Sequence, residues 1–69
     1  MSNHRRPPAG IFARETADTS DEYAEHRIKN TEDPEYLRKM IEVEADRDEP
    51  RQYRIGWMNQ RLAEVRDGE

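Results

Sequence analysis

An all-α fold is predicted for this chain, an antiparallel helical hairpin carrying a short first helix, and three observations predict it. Asp33-Pro34 and Glu49-Pro50 each set an acid before a proline, which opens a helix because the carboxylate caps free backbone N–H groups and proline fits the first helical turn. Residues 34–46 show a clear 3.6-residue apolar period. Strands find no comparable support in the sequence.

Residues 1–18 are expected to form an extended or disordered basic arm, and residues 19–69 a small helical domain. Pro7, Pro8 and Gly10 oppose helix, and residues 1–9 offer no apolar periodicity. Ile11 and Phe12 are the bulky apolar residues of this arm and its natural anchors on another surface.

The first helix is expected over about 20–30. Thr19 and Glu22 have capping-box spacing, and Asp21 and Glu22 suit the positive end of the helix dipole. Its apolar face is thin, formed by Ala24 and Ile28 with Tyr23 to one side. The second helix is expected over about 34–46, with Tyr36, Leu37, Met40, Ile41 and Val43 on one broad face and Arg38, Lys39, Glu42 and Asp46 opposite. Glu44 and Arg47, three residues apart near its end, are expected to pair with one another at the rim. The third helix should follow a short polar link and run over about 50–66, with Gly68 as its terminator. A link this short favours an antiparallel pair.

The third helix carries most of the functional expectation. Ile55, Met58, Leu62 and Val65 share one face, while Tyr53 and Trp57 lie on a second arc separated from it by Arg54 and Arg61, so that Tyr53, Trp57 and Arg61 form a column at i, i+4 and i+8. Rigid aromatics and arginine forks are the residue types that dominate binding hot spots. Two readings of Trp57 stand side by side at this point. It completes a core short of volume with Arg61 lying over its ring, or it is presented to a partner. Partner-binding residues are accordingly expected at Tyr53, Arg54, Trp57 and Arg61, with Ile11 and Phe12 from the arm.

Composition narrows the function. Charged residues make up 41% of the chain and hydrophobic ones 32%, with no cysteine to supply a disulfide or a thiolate metal site. So little apolar material in so short a chain points to self-association or to docking onto a larger assembly. Residues 1–14 carry +3 from Arg5, Arg6 and Arg14, while residues 15–69 hold nine basic against sixteen acidic side chains, or −7. An acidic body repels nucleic acid, so phosphate or acidic-partner contacts are expected from Arg5, Arg6 and Arg14 alone.

Catalytic constellations are missing. The two serines lie in the arm and at a helix cap, there is no glycine-rich phosphate loop, and Glu22 with His26 lacks the further ligands a metal needs. No apolar run has the length of a membrane span or of a secretory signal. The chain is therefore expected to be a non-enzymatic protein-binding subunit, cytoplasmic or assembled in a virus particle, without cofactor, membrane contact or small-molecule substrate. A small dimeric regulator whose basic arm contacts nucleic acid is the alternative.

Overall fold

The computed structural model describes residues 7–67, which form four α-helices: α1 (Ala9–Ala17), α2 (Asp21–Asn30), α3 (Pro34–Ala45) and α4 (Gln52–Asp67). There is no strand among the described residues.

The N-terminal segment departs from expectation, since α1 occupies half of what was expected to be an extended arm over residues 1–18. The reason is positional. Pro8 sits at the N-cap, outside the hydrogen-bonded turns, where its missing N–H costs nothing, and its carbonyl accepts the first helical bond from the Phe12 N–H at 3.0 Å. Beyond it, Ala9, Ala13 and Ala17 recur every fourth residue and keep one side of the helix small enough to lie close against a neighbour. Residues 1–6, with Arg5 and Arg6, lie outside the described residues.

The end of α1 and the start of α2 explain one another. Thr19, expected as the cap of the next helix, instead donates its hydroxyl back to the Thr16 carbonyl at 2.8 Å and closes α1. Ser20 takes the capping role, its Oγ accepting from the Tyr23 N–H at 3.3 Å, and Asp21 and Glu22 follow in the first turn. Thr31 ends α2 by donating its hydroxyl to the Arg27 carbonyl at 2.7 Å. At α3 the Asp33 carboxylate accepts from the Glu35 N–H at 2.9 Å with Pro34 just inside, as the sequence predicts. α4 begins two residues after Pro50, its first turn closed by Arg51 carbonyl bonds from Arg54 and Ile55.

α1 packs along α3, α3 on α4, α4 on α2, and α2 more lightly back on α1, which closes a four-helix ring. α1 and α3 run in the same direction, because Phe12 meets Tyr36 near the start of α3 at a ring separation of 5.3 Å, whereas the Ala17 carbonyl and Glu44 share Arg51 near its end. Ile28, Leu37, Met40 and Met58 fill the centre with Ala13, and Phe12, Ile41, Val43, Trp57, Leu62 and Val65 pack around them. Full burial of each of the four large central side chains contributes roughly 2 kcal/mol. This apolar centre is small, and polar side chains complete the interior.

Candidate functional site

The polar part of the interior gathers where α1 and α3 end and α2 and α4 begin. Glu44 lies on the inner face of α3 at 1% exposure, not at the rim. Arg51, in the link before α4, meets it as a fork: Nε reaches Oε2 and Nη2 reaches Oε1, both at 2.9 Å, and the Arg51 backbone N–H adds a third bond to Oε2 at 2.9 Å. Nη2 also donates to the Ala17 carbonyl at 2.8 Å. Arg47, the expected partner of Glu44, stands second at 3.4 Å.

Arg54 makes the matching contact from the first turn of α4. Its guanidinium donates to the Asp21 carboxylate from Nε at 2.9 Å and from Nη2 at 2.6 Å, to the Thr16 carbonyl from Nη1 at 3.2 Å, and to the Thr19 carbonyl from Nη2 at 2.9 Å. The side chain is 1% exposed. Arg54 therefore does not face a partner, as the sequence suggested. It fills the interior, holding the last turn of α1 to the first turn of α2. Helix ends leave carbonyl groups without intrahelical partners, and Arg51 just before α4 and Arg54 within it supply the donors. Among the described residues, no buried side-chain nitrogen or oxygen lacks a hydrogen-bond partner.

Electrostatics follow the geometry. Burial by itself would raise the Glu44 carboxyl, but hydrogen bonds from the Arg51 side chain and backbone, with the charges of Arg51 and Arg47, outweigh it and leave the carboxyl below its ordinary value. The hydrogen bond from Arg54, then that from Tyr53, lowers Asp21. Arg51 is raised in turn by its bond to Glu44.

Of the expected column, two members meet. The Tyr53 and Trp57 rings stand edge to face, 5.3 Å apart between centroids, and the Tyr53 hydroxyl donates to Asp21 at 2.9 Å while 48% of the residue remains exposed. Trp57 is half-buried against the core and lines a groove of about 280 Å³ between α2 and α4, facing Glu25, Ile28 and Lys29. Arg61 turns away from this pair: its Nε donates to the Thr31 carbonyl at 2.9 Å, so it caps the end of α2 instead of covering Trp57. Among the described residues it is Arg27 whose guanidinium stands over aromatic rings, 4.2 Å from the Phe12 centroid and 5.9 Å from that of Tyr23.

The two arm anchors separate. Ile11 stays half exposed on the outer side of α1, whereas Phe12 turns inward against Tyr36 and the core. Arg14 is exposed and lines a groove with Lys39 and Arg47, but Glu42 and Asp46 line it too, so no unopposed basic surface results. Sequence reasoning passed over Asp21, Glu44 and Arg51 as a unit. One signal for Arg54 was present, since Arg54, Met58, Arg61 and Val65 follow the spacing of a single inward stripe.

No group of three His, Cys, Asp or Glu side chains among the described residues is placed to hold a metal ion, and no helix there is long and apolar enough to cross a membrane. No protein-family model, curated protein or solved structure matches this chain.

Proposed function

We propose that this chain is a non-enzymatic protein-binding subunit that docks onto a larger assembly, as an accessory or connecting component such as one of a virus particle, through the outer face of α4. The observation that carries this reading is the Tyr53–Trp57 pair. Its rings are fixed by mutual contact and by the bond to Asp21, yet Tyr53 is 48% exposed and Trp57 lines the groove between α2 and α4. Pre-ordered aromatics lose little conformational freedom on binding, which is what a hot spot needs. The Glu44–Arg51 bond across the 46–51 link supports reading α3 and α4 as an antiparallel hairpin that braces this face. Carboxylates held ionised by arginine are poor general acids, which favours a binding role over catalysis.

Trp57→Ala tests the proposal. Sedimentation and multi-angle scattering of the purified chain report self-association, and far-UV circular dichroism reports the fold. A variant that keeps its helicity while losing self-association or a co-purifying partner supports the face as an interface. A variant that unfolds makes Trp57 a core residue and removes the argument.

A further inference from the structure

A second groove, of about 320 Å³, opens between the start of α1 and the link from α2 to α3. Phe12 and Tyr36 supply ring surface, Glu32 and Asp33 supply carboxylates, and Pro7 closes one side, its carbonyl accepting from the Tyr36 hydroxyl. Two aromatic rings beside two carboxylates suit a planar cation, which stacks on a ring while its N–H groups reach the oxygens. Phe12 already accepts such a stack from Arg27 at 4.2 Å. α2 ends here with its Thr31 carbonyl taken by Arg61, and α3 starts here under the Asp33 cap.

We propose that this groove is an arginine-binding site whose occupant is the chain's own Arg5–Arg6 segment. Pro7, which lines it, directly follows Arg6 in the sequence. The acidic groove and the +2 of this pair are complementary, and Glu32 has no cationic partner among the described residues. In consequence an anionic partner has to compete with Glu32 and Asp33 for these arginines, and the groove sets how available the basic segment is.

The test uses full-length chain. Asn is as good a helix cap as Asp, so Glu32→Gln with Asp33→Asn removes the groove's charge and keeps α3. Asp46→Asn with Asp48→Asn makes the same charge change elsewhere and serves as control. With inorganic tripolyphosphate as the anionic probe, the groove variant is expected to bind about fivefold more tightly than the control, the low end of ordinary site-to-site coupling. Arg5→Gln with Arg6→Gln should move the backbone amide resonances of residues 30–36 and the ring resonances of Phe12 and Tyr36, and should move them far less in the groove variant. Equal affinities for groove variant and control, or unmoved resonances, overturn the proposal. A free Arg-Arg-Pro-Pro peptide that shifts those resonances when Arg5→Gln/Arg6→Gln does not would give the groove to another protein's arginine and also overturn it.

Discussion

Replacing Arg54 with alanine separates an internal brace from a partner contact more sharply than any other single change. The guanidinium donates to two backbone carbonyls at the end of α1, Thr16 and Thr19, in a site 1% exposed to water. Hydrogen bonds from a charged donor contribute about 1.5–3 kcal/mol each. The Thr16 carbonyl keeps the Thr19 hydroxyl at 2.8 Å, so the low end applies and the two together come to about 3 kcal/mol. Asp21 is left out of this sum because water replaces Arg54 around an exposed carboxylate. A chain of this length has roughly 3–10 kcal/mol of stability in all. Arg54→Ala should therefore lower Tm by on the order of 15 °C, and at the low end of that stability it leaves the folded state barely populated. Thermal and urea unfolding followed by circular dichroism measure this. A loss under about 1 kcal/mol would refute the brace, because it is less than a single hydrogen bond from a charged donor contributes. Arg54→Lys keeps the charge and loses the fork, and should recover only part of the stability.

Acid should weaken the fold below pH 4.5. The Glu44 carboxyl, held by Arg51, ionises more readily folded than unfolded, so it adds stability above its ordinary value of 4.5, and that contribution is lost as pH falls through the lower folded value. Asp21 behaves in the same sense from its ordinary value of 3.8 downward. Urea midpoints should fall across this range, and Glu44→Gln should flatten the upper part of the decline; an unchanged slope in that variant contradicts the assignment. Ala13→Leu forces bulk between α1 and α3 at a residue 2% exposed and should cost about 1–3 kcal/mol, whereas Ile11→Ala on the outer side of α1 should change the urea midpoint little. Tyr53→Phe removes one exposed bond to Asp21 and should leave Tm within a few degrees, which isolates any effect on partner binding.

The boundaries of α3 were legible because Asp33 and Pro34 act locally, one capping and the other fitting the first turn, with no help from the rest of the fold. α1 was not, because Pro7, Pro8 and Gly10 were weighed as helix breakers without regard to position, and a proline before the first turn starts a helix as readily as it stops one. Arg54 was misassigned for a different reason. A charged residue is normally sent outward, and what holds this one inside is Asp21, thirty-three residues earlier, together with carbonyls freed by the end of a helix the sequence reading lacked. The Tyr53–Trp57 contact follows from i, i+4 spacing and could be read directly. Whether Arg61 covered Trp57 could not, since its actual acceptor, the Thr31 carbonyl, belongs to another helix.

The bonds from Arg51 and Arg54 to the end of α1 also impose an order on events as the chain is made. The carbonyls of Thr16, Ala17 and Thr19 accept there from donors lying 34 to 38 residues downstream. A nascent chain still inside the ribosome at Arg51 has α3 for α1 to pack on but lacks the donors that hold the end of α1, and an isolated nine-residue helix is unstable in water. The end of α1 is thus fixed only once the start of α4 has emerged, although α1 precedes α4 by more than thirty residues.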